Sequence, residues 1–195
     1  MDAGIMFTGS VNTGLAMQLQ LAATALVQAG TKRLTIYLSS RGGDITAGMA
    51  IHNTLRMLDC HLRLVNVGQC GSIAATVFLA GHERIAMPAS NFFLHAAYYV
   101  EGEKTGQISP NTTLIVAPYR NLPGWDQERL DRYFTSTTET YLNAAEALDL
   151  GIATAIESPR LTPGERLLVL DPDSRDLSRV DAFVAGLKTP RRARP

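Results

Sequence analysis

The sequence predicts an α/β domain built on parallel strands, and three observations lead there. Short apolar runs with period-two alternation, at residues 5–8, 34–38 and 61–67, are separated by longer stretches of helical spacing. Each of those runs ends in a turn rich in Gly, Ser or Asn that leads into the next helix, so the connections are crossovers, which lay strands parallel. The length, 195 residues with 46% apolar side chains, suits one domain with a sizeable core.

Taken in order, residues 5–8 form the first predicted strand. From Asn12 or Thr13 the pattern is helical, with Leu15, Leu19, Ala22 and Leu26 on one face and Gly30 beyond the end. Leu34, Ile36 and Leu38 alternate as a second strand, followed by Ser39-Ser40-Arg41-Gly42-Gly43-Asp44 and a helix carrying Ile51, Leu55 and Leu58 on one face. The third strand is expected to break at Gly68, and a helix opening at Ser72 runs to Ala80 with Gly81 as its cap. Residues 84–87 and 91–95 are two short strands separated by the turn residues Pro88, Ala89 and Ser90.

Residues 98–123, which hold Pro110, Pro118 and Pro123, are expected to be irregular around a brief apolar patch at 114–116. Helix is expected from Asp126 to about Thr140, with Leu130, Phe134 and Tyr141 inward. Asn143-Ala144-Ala145-Glu146 has the spacing of a capping box and opens a short helix that stops at Gly151. A closing strand at 152–156 completes a domain over residues 1–156. The C-terminal extension, 157–195, is richer in Pro, Arg and Asp, with a strand-like run at 167–170, a helical run at 177–187 and an end expected to be disordered.

Lys plus Arg and Asp plus Glu both number 18, so the formal net charge is zero and nothing electrostatic points to nucleic acid or an acidic membrane. High apolar content with only 18% charged residues points instead to self-association. No basic-plus-apolar leader and no bilayer-length apolar run is present, which gives a cytoplasmic expectation. Cys60 and Cys70 lack metal-ligand spacing and read as reduced, buried residues, and no metal or cofactor is expected.

Chemistry concentrates in three places. Ser72 sits on a strand–turn–helix among Gly68, Gly71, Ala74 and Ala75, small neighbours that let backbone approach, with free helix-start N–H groups nearby for an oxyanion. The same serine could simply cap its helix, and Cys70 is the alternative nucleophile. Gly42-Gly43 follows a strand end, where parallel sheets place their sites, or makes a plain turn. His95 ends an aromatic strand and reads as either base or buried structural histidine, as do His52, His61 and His82.

Together these stretches resemble the ClpP family, the proteolytic subunits of Clp proteases. The resemblance rests on Ile5-Met6-Phe7-Thr8-Gly9, the run from Ser40-Arg41-Gly42-Gly43-Asp44 to Ile51, Gly68-Gln69-Cys70-Gly71-Ser72, Phe92-Phe93-Leu94-His95 and Ala145-Glu146-Ala147-Leu148-Asp149-Leu150-Gly151. It implies an α/β fold of the ClpP/crotonase type, with repeated β-β-α superhelical units, and a serine peptidase acting on peptides or unfolded proteins. Ser72 would be nucleophile, His95 general base, and the N–H groups of Gly43 and Ile73, beside Gly42, the oxyanion donors. Counting back from the 145–151 motif, the family's aspartate falls on Glu139. Arg41 replaces the usual proline before the glycines, and Ala96-Ala97 replaces Gln-Pro after the histidine. A homo-oligomeric ring and an AAA+ ATPase are the partners the resemblance implies, a single ring being expected because the prolines fall where the family has its long handle helix. The other readings are a catalytically weak or silent scaffold and a crotonase-type acyl-CoA enzyme, whose oxyanion loop Gly42-Gly43-Asp44-Ile45 resembles. A Ser–Lys dyad is disfavoured, since Lys32, Lys104 and Lys188 lie outside any matching motif.

Overall fold

The computed structural model describes residues 2–161, 166–171, 173–174 and 176–187. Strand β1 (Asp2–Thr8) leads to helix α1 (Thr13–Gln28), which starts where the Asn12 side chain accepts the Leu15 N–H. Its expected face, Leu15, Leu19, Ala22 and Leu26, is fully buried. Strand β2 (Arg33–Ser40) is followed by α2 (Ile45–Met57), capped by Asp44 through the Ala47 N–H, and then by β3 (His61–Gly71). Next come α3 (Ile73–Phe78), β4 (Glu83–Ala86) and β5 (Asn91–Leu94). The remaining elements are α4 (Thr112–Val116), α5 (Gln127–Phe134), β6 (Thr140–Asn143), α6 (Ala144–Asp149), β7 (Ala155–Ile156), β8 (Arg166–Val169) and α7 (Ser178–Leu187).

All eight strands form one sheet, ordered β6-β5-β3-β2-β1-β8, with β4 beside β3 and β7 beside β4. Every pair is parallel except β5–β6. The long β3 makes a fork: its first half pairs with β4 from Arg63 to Asn66, and its last residues, Gln69 to Gly71, pair with β5. Helices α1, α2 and α3 cover one face around Ile5, Phe7, Leu34, Ile36, Leu62 and Leu64. The other face carries a small cluster of Tyr37, Val65 and Ile85. Strand β8 extends the sheet beside β1, and Gln18 on α1 fastens the chain beyond it by donating to the Asp171 and Ser174 carbonyls at 2.8 Å each.

Several expectations are corrected. Gly68 bulges the third strand rather than breaking it: three residues of β3 lie between Asn66 and Cys70, where β2 has only Ser39 between their partners Leu38 and Ser40. The third helix ends at Phe78, short of Ala80. The helix from Asp126 ends at Phe134, because the hydroxyl-rich run after it bonds locally. Thr135 Oγ1 donates to the Asp131 carbonyl at 2.7 Å, and Ser136 Oγ accepts the Thr138 N–H at 3.0 Å. Tyr141 therefore lies on a strand, 51% exposed, rather than inward on a helix. The closing strand shrinks to Ala155–Ile156, since Ile152 and Ala153 are buried and the Ile152 carbonyl is taken by Arg84 Nε at 2.8 Å. Residues 98–123 hold α4 and a 3-10 turn at Tyr119–Asn121, both contributing buried side chains. The capping box at Asn143 and Glu146 is present as expected. The C-terminal end expected to be disordered lies outside the described residues.

Candidate active site

The fork in the sheet sets the position of Ser72. Directly after β3 the chain turns with φ 52° and ψ −129° at Ser72, the one non-glycine residue of positive φ among the described residues. Such a conformation costs about 1–3 kcal/mol and persists only where its surroundings enforce it. Here β5 does so, because the Ser72 N–H donates to the Phe93 carbonyl at 2.9 Å. The Ser72 side chain makes no capping bond to α3, so the strained turn presents the hydroxyl without using it to finish the helix.

The glycine pair lies against this turn. A Cβ on Gly42 would stand 2.9 Å from both the Gly71 carbonyl oxygen and Ser72 Cβ, and 3.4 Å from the Ile73 nitrogen, so only glycine fits. Val11 stitches the loop down: its N–H donates to the Gly42 carbonyl and its carbonyl accepts the Asp44 N–H, both at 2.8 Å. Gly42 N–H donates to Ser40 Oγ. The Gly43 N–H has no acceptor among the described residues, and neither does that of Ile73, the first residue of α3. Two amide donors are thus available close to Ser72.

His95 follows β5 directly and is buried, its ring stacked on Phe93 and tilted against Tyr98. Its Nδ1 lies 2.7 Å from the Ala96 carbonyl oxygen. A carbonyl only accepts, so Nδ1 carries a proton, and in the neutral imidazole Nε2 is then the acceptor nitrogen.

Glu139 enters through strand pairing. Antiparallel β5 and β6 set Leu94 opposite Thr140, so Glu139 falls across from His95 one step past the last pair. Its carboxylate nevertheless turns to Arg41, whose Nη2 donates to Oε1 at 2.9 Å and Oε2 at 3.1 Å. The Tyr141 hydroxyl donates to Oε2 at 2.5 Å. That hydroxyl first, then Arg41 and to a lesser degree His95, hold the Glu139 carboxyl below the ordinary carboxylate range. Arg41 also donates to Gln69 Oε1 and lies 4.8 Å from the centre of the Phe93 ring. Among the described residues no hydrogen bond joins Glu139 to His95.

Gly42, Gly43, Ser72, His95 and Glu139 all line one cleft of about 610 Å³, to which Arg41, Phe93 and Tyr98 also contribute. The Ile73 side chain is buried in the core, which leaves its backbone for the site. Cys70 is fully buried beneath, and burial pushes its thiol well above the ordinary range, away from the thiolate a nucleophile requires. Among the described residues no group of His, Cys, Asp or Glu could hold a metal ion, and no helix is long and apolar enough to cross a membrane.

Sequence reasoning missed Tyr141 as a partner of Glu139 and Val11 as the anchor of the glycine loop, and it noted Arg41 only as a substitution. One signal was available: Glu139, Tyr141 and Asn143 alternate with Thr140 and Leu142 in a strand-like period of two, which sets Glu139 and Tyr141 on one face.

The fold and the cleft define a class: a mostly parallel α/β sheet with a serine on a strained strand-to-helix turn. A sequence model of the Clp protease family matches residues 1–160, and the chain belongs to that family. Among solved structures, a mutant ClpP1 from Listeria monocytogenes is similar at a TM-score of 0.71 and 22% identity, over 80% of this chain and 92% of that one. Unmutated ClpP1 from the same organism is similar at a TM-score of 0.66, with the same identity and coverage.

Proposed function

We propose that the protein is a ClpP-like serine endopeptidase of ClpP/crotonase-type fold, working through an acyl-enzyme on peptides or unfolded proteins. The observation that carries this reading is the strained Ser72 turn, whose hydroxyl caps nothing and shares a cleft with His95. Ser72 Oγ attacks the scissile carbonyl while His95 Nε2 takes its proton. The N–H groups of Gly43 and Ile73 receive the developing oxyanion, held ready because the Val11 stitching fixes the loop beforehand. His95 then returns the proton to the leaving amine, and water attacks the acyl-serine by the same route in reverse. Glu139 is the carboxylate we assign to His95, although its oxygens are held by Arg41 and Tyr141 in this structure.

Family membership supports the coarser parts of the account. The finer ones are our reading: residues 1–156 as the peptidase unit with 157–195 as an extension, a cytoplasmic location, a single homo-oligomeric ring and an AAA+ ATPase partner. Sedimentation tests the ring, and a clean monomer at micromolar concentration removes it. The peptidase reading predicts turnover of an unfolded casein or a fluorogenic peptide that is lost in Ser72→Ala and His95→Ala with the fold retained. Coenzyme A binding without peptide turnover supports the acyl-CoA alternative, and neither activity supports a silent scaffold.

A further inference from the structure

We propose that Arg41 is a latch that holds Glu139 away from His95, so that the resting enzyme works on an incomplete triad until this ion pair opens. The inference rests on the peptidase reading above.

Strand register is the first support. Pairing of Leu94 with Thr140 brings Glu139 to the level of His95, so no rearrangement of β5 or β6 is needed for the carboxylate to reach the imidazole's side of the cleft. Side-chain partners are the second. Both Glu139 oxygens are taken by Arg41 Nη2, and one of them also by the Tyr141 hydroxyl. The His95 Nδ1 proton, of which a neutral imidazole tautomer has one, goes to the Ala96 carbonyl. Two alternative pairings therefore compete: Arg41 with Glu139 and His95 with Ala96, or Glu139 with His95 and Arg41 released.

The latch is built to open. The Arg41 side chain is 62% exposed and that of Glu139 34%, and exposed ion pairs are weak and screened by salt. Arg41 keeps other contacts when released, namely Gln69 Oε1 and the face of Phe93, so its departure from Glu139 leaves no charge stranded in the core. A backbone carbonyl fixes the imidazole tautomer but stabilises a developing imidazolium less than a carboxylate does. Release of Glu139 thus acts on the chemical step and leaves substrate affinity alone.

The test compares wild type, Arg41→Gln and Arg41→Lys, with Glu139→Gln introduced into the first two backgrounds. Arg41→Gln is expected to raise kcat on the order of tenfold with KM unchanged, within the roughly hundredfold that correct placement of a catalytic group can be worth. Arg41→Lys, which keeps the charge without the fork, falls between. Wild-type kcat rises with sodium chloride, whereas that of Arg41→Gln stays flat. Glu139→Gln costs more in the Arg41→Gln background than in wild type, a non-additivity that independent roles do not produce. By proton NMR, a downfield imidazole N–H resonance appears in Arg41→Gln and is lost in the double variant. A raised KM with unchanged kcat makes Arg41 a substrate-binding residue and overturns the latch, as does additivity. If Ser72 is inert to a fluorophosphonate in every variant, the peptidase reading fails, and the NMR signal still decides whether Arg41 withholds Glu139 from His95.

Discussion

Gly71 and Phe93 are so close that a Cβ on Gly71 would lie 1.9 Å from Phe93 Cε1. The contact matters because Phe93 is a hub: its carbonyl holds the Ser72 N–H, and its ring meets both His95 and Arg41. Gly71→Ala is expected to push that ring away, costing about 1–3 kcal/mol as overpacking does, and to lower peptidase activity by disturbing Ser72 and His95 together. A shift in urea midpoint, read with kcat/KM, checks it.

Removing the strain at Ser72 should have the opposite effect on stability. Glycine adopts positive φ without penalty, so Ser72→Gly is expected to be about 1 kcal/mol more stable than Ser72→Ala while equally inactive. Equal stabilities in chemical denaturation would count against a strained turn.

Gly43→Ala tests the glycine loop. At φ 146° a Cβ would meet the Val11 carbonyl oxygen at 2.2 Å, breaking the stitching that holds the loop against Ser72. Loss of turnover with unchanged far-ultraviolet circular dichroism is the expected result.

Stability is expected to fall as the medium is acidified through the histidine range. His52 is buried and its Nδ1–H donates to the Thr76 carbonyl at 2.9 Å; burial lowers its pKa. The more exposed His82 accepts the Leu62 N–H at Nδ1 and shifts the same way, through partial desolvation and then Arg56 and His61, so His52 carries most of the effect. The unfolded chain, with histidines near pKa 6.5, binds more protons than the folded one just below that value, so stability declines as pH drops through about 6.5. Urea midpoints at about pH 7.5 and 5.5 measure the decline, and His52→Gln should lessen it.

Much of this architecture was legible in the sequence because its signals are local. Leu15, Leu19, Ala22 and Leu26 repeat at helical spacing, and Asn143 and Glu146 form their capping box within one turn. The turn at Ser72 could be read because small residues mark close backbone approach. What escaped was set by distant pairing. Whether Gly68 breaks a strand or bulges it depends on Ser39, whose Oγ would lie 2.7 Å from a Cβ at Gly68. Tyr141 became a strand residue because β6 found β5, a partner that helical periodicity around residue 134 cannot reveal. Glu139 was found by counting from a motif, yet its partner Arg41 lies 98 residues earlier, and no local pattern links the two.

The central claim is that Ser72 is the nucleophile, and covalent labelling addresses it most directly. Folded protein treated with a fluorophosphonate and mapped by mass spectrometry should carry one adduct, on Ser72, absent from Ser72→Ala and slowed in His95→Ala. An adduct at Cys70, or none in protein whose fold is intact, would contradict the account.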